Sequence, residues 1–365
     1  MPLILERTLR FIFAITAGTS LFASAQDAPE SAKSDEPTSV FSERSPWLLA
    51  PVLNSNPKLG TTVGALGGYL HFFDAKSRPS IFAVSGQYSD TDSIVGGAFA
   101  RASFDEDHQR LIAGLAYGNV NNDYDDYLGT GVPLKNEAEL ESFIARYTYR
   151  IRDDWFIGAQ GISQNFGVTG DSAFDDQVLD ILGVVPFESA GAGLVVQNDS
   201  RDDENMPTRG WLFNFNNMAF REALGGDDDY GVYRLEFKYF HQNRNNHIFA
   251  LRQLNHLTKD APTAAQASVQ LRGYKIGQYG DKYMSSIEGE ERFRLGKKWT
   301  ATLFAGTAYL YGGNSSSSDS ENFYPVAGLG IQYILKPKEG MVMNLEYADG
   351  KGDNSGVYLK MGYSY

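Results

Sequence analysis

The chain closes on Gly356-Val357-Tyr358-Leu359-Lys360-Met361-Gly362-Tyr363-Ser364-Tyr365. Counted back in twos from the end, Tyr365, Tyr363, Met361, Leu359 and Val357 share one face. Lys360, Gly362 and Ser364 lie on the other. Successive side chains of a strand point to opposite faces, so this is a strand with one apolar side. A soluble sandwich hides such a face in its core. A membrane barrel turns it to lipid. The period alone fits both.

The opposite end decides between them. Arg7 and Arg10 form a charged region ahead of an apolar run from Phe11 to Phe22, broken only by small residues such as Thr16 and Gly18. Ala23-Ser24-Ala25 then has the A-x-A form of a cleavage site, followed by Gln26. This is the three-part layout of a secretory signal peptide, expected over residues 1–25. The run is shorter than the roughly 20 apolar residues of a helical span. An exported chain with an amphipathic, aromatic-ended last strand points to the bacterial cell outer membrane. That strand resembles the C-terminal signal of outer-membrane proteins, carried here by Met361, Tyr363 and Tyr365. The resemblance implies that the barrel assembly machinery is a partner during insertion.

Composition narrows the choices further. The net charge is −13, and losing Arg7, Arg10 and Glu6 with the signal peptide makes it one unit more negative. So acidic a chain repels phosphate backbones, and nucleic acid is not an expected partner. The cysteine count is 0, which rules out a thiol nucleophile and a cysteine–zinc site. An exported compartment would permit disulfides, but this chain has none to make. With 21 Tyr, 23 Phe and 38 Gly, the mean hydropathy is still −0.33. A barrel wall gives that combination, because only alternate residues face lipid.

The alternation recurs between the ends, and no apolar run there is long enough for a helical span. Within 233–240, Tyr233, Leu235, Phe237 and Tyr239 oppose Arg234, Glu236 and Lys238. Within 143–151, Phe143, Tyr147, Tyr149 and Ile151 oppose Arg146, Thr148 and Arg150. Within 287–295, Ile287, Phe293 and Leu295 oppose Glu288, Glu290, Arg292 and Arg294, with Glu291 the exception on the apolar face. Met341, Met343, Leu345 and Tyr347 repeat the pattern. In a barrel these charged faces look onto a wet lumen.

Turn-like clusters punctuate the sequence at fifteen places, from 54–58 to 348–355, and so predict sixteen strands. Residues 46–365 then give about 20 residues per strand and connection, which suits membrane strands of about 9–11 residues. An even number suits a single-chain bacterial barrel. The long connections at 121–137, 170–186, 258–282 and 312–322 are all odd-numbered. Counted from a periplasmic N-terminus, they fall outside, where loops are longer. One even connection, 199–209, is also long. The fold expected is all-β: a 16-stranded antiparallel transmembrane β-barrel.

Two stretches carry more than periodicity. Asp199-Ser200-Arg201-Asp202, followed by Pro207-Thr208-Arg209-Gly210, falls on the long turn between the eighth and ninth strands. Leu271-Arg272-Gly273-Tyr274 falls in the sixth outer loop. The first resembles the D-x-R-D…P-x-x-G signature of the BamA/TamA superfamily (the bacterial surface antigen family), and the second its V-R-G-F/Y motif. Glu290-Glu291-Arg292-Phe293-Arg294-Leu295 resembles the E-x-R-F-P-L strand that follows, with Arg294 at the proline position. The resemblance covers residues 46–365. It implies that the loop folds into the barrel and that its arginine meets lumen-facing groups on the twelfth and thirteenth strands. By parity Glu290, Arg292 and Arg294 face the lumen, and Glu290 is the natural partner of Arg272. An arginine fork engages a carboxylate at two points, and Gly273 lets the backbone turn tightly.

Two departures stand out. Gly306, in Phe304-Ala305-Gly306-Thr307-Ala308, occupies the family's aspartate position and so removes its usual second anchor. Family members also carry periplasmic POTRA domains, whereas only residues 26–45 precede the barrel here. With Asp27, Pro29, Glu30, Asp35, Glu36 and Pro37, that stretch reads as a disordered periplasmic tail. The resemblance is therefore to a barrel-only form. It implies a role in outer-membrane assembly or transport, with a separate periplasmic partner. Outer-membrane lipids and lipopolysaccharide are the surroundings expected of it.

Nothing in the sequence specifies a catalyst or a cofactor. His71, His108, His241, His247 and His256 form no helical metal pair, and no G-x-S-x-G elbow occurs. The acidic runs at 123–126, 227–229 and 349–353 lack the calcium-loop pattern and read as solvated charge. A passive porin-like diffusion channel stays open as the alternative function, since sixteen strands can enclose a pore. A membrane-embedded hydrolase is the third class, unsupported by any motif.

Overall fold

A computed structural model describes residues 46–56, 60–203, 206–243, 245–313, 322–336 and 341–363. The expected signal peptide at 1–25, the tail at 26–45, the serine-rich tip at 315–318 and Tyr365 lie outside the described residues.

The first nine strands are β1 (Trp47–Asn56), β2 (Gly60–His71), β3 (Ser80–Ser89), β4 (Ile94–Phe104), β5 (Gln109–Tyr124), β6 (Leu134–Arg152), β7 (Trp155–Gly170), β8 (Phe187–Asp199) and β9 (Arg209–Phe220). Then come β10 (Tyr230–Gln242), β11 (Ile248–Lys259), the short β12 (Ala267–Ser268) and β13 (Gly280–Asp281), β14 (Tyr283–Arg294), β15 (Trp299–Tyr311), β16 (Phe323–Lys336), β17 (Met341–Gly350) and β18 (Ser355–Tyr363). All but β12 and β13 pair antiparallel, each with its neighbours in sequence, in one closed barrel. That barrel has the sixteen strands the punctuation predicts. β12 and β13 form a separate two-stranded ribbon inside the long connection between β11 and β14.

Strand ends differ from the sequence reading in one notable place. The turn expected at 121–137 is shorter, because β5 and β6 stay paired out to Tyr124 opposite Leu134. This hairpin continues past the rest of the wall, and its inward residues Val120, Leu134 and Leu140 are buried. The long 170–186 connection holds the short helix α1 (Ala173–Ile181). Ser172 caps it, its side chain accepting from the Asp175 N–H, and Asp175 and Asp176 sit in the first turn, where a helix favours negative charge.

Alternation places large apolar side chains on the outside. Leu115, Phe143, Leu194, Leu303 and Leu329 are all more than half exposed. Together they form the apolar belt of a wall that faces hydrocarbon. All four tryptophans lie at one rim: Trp47, Trp155 and Trp299 begin β1, β7 and β15, and Trp211 is the third residue of β9. Each packs edge-on or tilted against an outward aromatic neighbour, Tyr69, Phe213, Phe237 and Tyr333 respectively. Rings gathered in one band mark a membrane–water interface. This rim carries the even-numbered connections, all short but that between β8 and β9. Glu291, the sequence exception, sits close to it and 4.0 Å from His247.

The barrel closes where β1 meets β18, with Asn54 opposite Lys360 and Ser55 opposite Leu359. β1 pairs with β2 along its whole length, from Trp47 to Asn56. Met361 and Tyr363 lie opposite Met343 and Met341 on β17. The lumen is not uniformly wet. Inward residues Leu254, Met284, Phe304, Leu310, Val326 and Ala348 form one buried apolar cluster with residues of the 260–282 connection. That connection folds inward against the β11–β18 wall and also meets the opposite side, where Ala265 packs with Phe166, Phe220 and Tyr230.

Candidate functional site

The inward loop is held by both apolar and ionic contacts. Val269, Leu271 and Tyr274 are buried against the wall. Gly273 takes φ +90°, a conformation that favours glycine, and its N–H donates to the Tyr358 hydroxyl at 2.6 Å. Tyr274 reaches past Gly350: a Cβ there would lie 2.7 Å from the Tyr274 ring. Its hydroxyl donates to the Pro325 carbonyl at 2.5 Å and accepts the Lys351 N–H at 2.8 Å. The chain between a β-former and a tyrosine is thereby fixed, and it aims Arg272 at the wall.

Arg272 meets three carboxylates. Its Nη2 and Nε donate to Glu288 at 2.8 and 3.2 Å, a two-point contact. Nη2 also lies 2.8 Å from Glu290, and Nη1 lies 3.2 Å from Glu346. The guanidinium plane sits 3.4 Å over the Phe304 ring. Glu290 is shared with Arg292, whose Nε donates to it at 2.6 Å. No side chain of this cluster is more than 11% exposed, so the charges interact with little screening from water.

Glu290 is thus one of three partners, and sequence reasoning singled out only that one. Parity placed Glu288 on the same face, and Glu288 makes the two-point contact. Gly306 lies directly opposite Glu288 across β14 and β15. A Cβ at Gly306 would come within 3.0 Å of the Glu288 backbone and side chain. The carboxylate missing at position 306 is therefore supplied from the neighbouring strand and, across the lumen corner, from Glu346 on β17.

The second motif forms a compact turn at the tryptophan-bearing rim. Arg201 Nε and Nη2 donate to the two oxygens of Asp199 at 2.7 and 2.9 Å, and the side chains are 9% and 2% exposed. Asp202 accepts from the Thr208 and Arg209 N–H groups at 2.8 and 3.1 Å and from the Thr208 hydroxyl. Pro207 precedes this cap. Gly210 takes φ +97°, and a Cβ would fall 2.3 Å from the Ser200 carbonyl oxygen.

Beside the turn, buried Asp107 gathers Arg110, Arg150 and Arg78 at 2.7, 2.5 and 3.5 Å. Arg110 and Arg150 also pack on the buried Phe156 ring. The sequence reading passed over this group, which joins three connections far apart in the chain. Burial by itself would raise the Asp107 pKa, but the hydrogen bond and charge of Arg110, then Arg78, hold it below the usual carboxylate value. A depressed folded pKa stabilises the fold fully above the unfolded value of about 3.9 and loses that stability as pH falls through the folded value. Thermal midpoints should accordingly be flat from neutrality to about pH 4 and drop below it. In Asp107→Asn that component of the acid drop should vanish. An unchanged acid profile in the variant would remove Asp107 from the account.

Among the described residues no group of His, Asp and Glu could hold a metal ion. Comparison with known proteins then identifies the architecture. Residues 78–336 match the Omp85 superfamily domain. No curated protein matches the chain. Among solved structures it is similar to BamA from Haemophilus ducreyi lacking POTRA domains 1–3, at TM-score 0.60 and 13% identity, covering 95% of this chain and 78% of that one. It is also similar to CdiB from Acinetobacter baumannii, at TM-score 0.62 and 9% identity, with coverage of 94% and 67%. For CdiB from Escherichia coli the values are 0.60 and 12%, with 93% and 67%. These likenesses show a shared barrel. With the family domain matched over the greater part of the strands, the chain belongs to the Omp85 superfamily.

Proposed function

We propose that this protein is a non-enzymatic outer-membrane barrel acting in outer-membrane assembly or transport, with a separately encoded periplasmic partner. The tryptophan rim would face the periplasm and the long connections the cell exterior. The exposed apolar belt would sit in outer-membrane lipid, below lipopolysaccharide, and Met361, Tyr363 and Tyr365 would serve as the insertion signal. The observation that carries this reading is the inward loop held by Arg272. A free diffusion channel gains nothing from a loop fastened across half its lumen by a buried ionic cluster. A barrel whose lumen must be controlled does gain from one. Arg272, Gly273, Tyr274, Glu290 and Arg292 are the residues proposed to hold the loop. Asp199, Arg201, Asp202, Pro207 and Gly210 are proposed to fix the periplasmic rim.

The partner is testable directly. Crosslinking in intact cells, followed by purification of the barrel, is expected to recover one periplasmic protein reproducibly. Repeated recovery of the barrel with no such protein would count against the partner.

A further inference from the structure

The lumen wall on the β6–β11 side is chemically unlike the rest of the chain. The protein as a whole is acidic, at −13. Yet the lumen-facing positions of β6, β10 and β11 present Arg146, Arg234, Lys238 and Arg252 around one carboxylate, Glu236. Arg252 Nε donates to Glu236 at 2.8 Å, and Lys238 Nζ lies 3.8 Å from it. That carboxylate is therefore already shared.

Arg146 and Arg234 have neutral partners in its place. Arg146 Nε donates to the Gln160 side-chain Oε1 at 3.0 Å, and Arg234 Nη2 donates to the Gln270 Oε1 at 2.8 Å. Among the described residues neither arginine has a carboxylate within ion-pair distance. Both are only partly exposed. The two are linked along the wall. Gln160 on β7 extends over Gly193 on β8, and its amide donates to the Asn216 side chain at 3.3 Å and to the Asn217 carbonyl at 3.2 Å. Asn216 on β9 stands directly opposite Arg234 on β10. Gly193 is what allows this reach: a Cβ there would fall 1.7 Å from the Asn217 carbonyl oxygen. The amides thus hold the two guanidinium groups apart, one on each side.

A guanidinium does not shed its proton in a protein, and a partly buried charge whose hydrogen-bond partners are neutral is costly. Two such groups held apart by an ordered amide relay are complementary to an oxyanion, which accepts forked hydrogen bonds from each. We propose that the lumen wall between β6 and β11 is a binding site for an oxyanion, a carboxylate or phosphate group, with Arg146 and Arg234 as its two cationic arms. Fixed positive charge there also favours anions in whatever current the barrel carries. The site is independent of the assembly-or-transport reading.

The test uses the full refolded chain in detergent micelles. Inorganic phosphate and acetate are titrated separately at constant ionic strength, and the thermal midpoint is read by tryptophan fluorescence. At least one is expected to raise the wild-type midpoint in a saturable way. Phosphate alone would assign a phosphate ligand, and acetate alone a carboxylate. In Arg146→Gln with Arg234→Gln, half-saturation should weaken by about tenfold or more, the expected loss when a charge-assisted contact is removed. No stabilisation by either anion, or equal stabilisation in the double variant, overturns the site. If the double variant does not refold, the zero-current potential of wild type across a potassium chloride gradient decides. A chloride preference is expected, and a potassium preference overturns the proposal.

Discussion

Arg272→Ala is expected to raise the single-channel conductance of the refolded barrel in planar bilayers, from a small flickering current to a larger one. It is also expected to cost about 3–5 kcal/mol of stability, the usual penalty for removing one side of a buried ion pair. The reason lies in what remains behind. Glu290 keeps Arg292 at 2.6 Å, but the Arg272 contacts at 2.8 Å to Glu288 and 3.2 Å to Glu346 disappear. The cation over Phe304 goes with them. Like charges are then left close together on β14 and β17, and the loop loses the group that fastens it to the wall. Adding Glu288→Gln and Glu346→Gln to Arg272→Ala separates stability from gating. The triple variant removes the stranded charges, so most of the stability should return. Conductance should stay high, because the anchor is still gone. Glu290 must be left intact in this design, since it also holds Arg292. A large steady current already present in wild type and unchanged by Arg272→Ala would mean that the loop does not plug the lumen. The diffusion-channel reading would then be preferred.

Much of this architecture is legible from local pattern. Alternation such as Tyr233, Leu235, Phe237 and Tyr239 against Arg234, Glu236 and Lys238 depends only on the strand period, so it survives without knowledge of neighbours. Turn residues locate connections for similar reasons, and the sixteen-strand count follows. Hairpin register is likewise local, which is why parity places Glu288, Glu290 and Arg292 on one face. The parts not legible depend on closure. Glu346 meets Arg272 across 74 residues of sequence, and Gly273 meets Tyr358 across 85. Asp107 and Arg150 are 43 apart. None of these pairs is suggested by spacing, because a barrel brings them together only once its wall is complete. The apolar lining was hidden for a different reason. Leu254, Phe304 and Val326 occupy inward positions that a wet lumen would fill with polar groups. They make sense only beside Val269, Leu271 and Tyr274 of the inward loop, which bury them. The same closure explains the substitution at Gly306. A missing carboxylate on one strand is a loss only if the neighbouring strand cannot supply one, and here Glu288 lies directly opposite.

Asp199→Ala is the second change expected to have a large effect. Its carboxylate is 2% exposed and takes both arms of Arg201, at 2.7 and 2.9 Å. Removing it takes from a buried guanidinium the carboxylate that receives two of its N–H groups, again a loss of about 3–5 kcal/mol. The neighbourhood makes relief difficult. Asp107, the nearby carboxylate, is already held by Arg110, Arg150 and Arg78. Asp107 is therefore not available to replace the lost carboxylate. Asp199→Ala with Arg201→Met removes the stranded charge while keeping a side chain of similar length, and should recover a large share of the loss. The turn would still be weaker, because the fork that fixes its geometry is gone. Urea unfolding followed by tryptophan fluorescence reads the change locally. Trp155 lies opposite Asn198, and the Trp211 carbonyl accepts the Ser200 N–H at 2.9 Å. Both rings therefore report on the rim. A single-variant loss below about 1 kcal/mol would place the pair among solvated surface ion pairs, which contribute little. The motif would then owe its form to the Asp202 cap and Gly210 alone. A large loss that the double variant does not recover would instead show that the fork's geometry, rather than a stranded charge, holds β8 and β9 together at the rim.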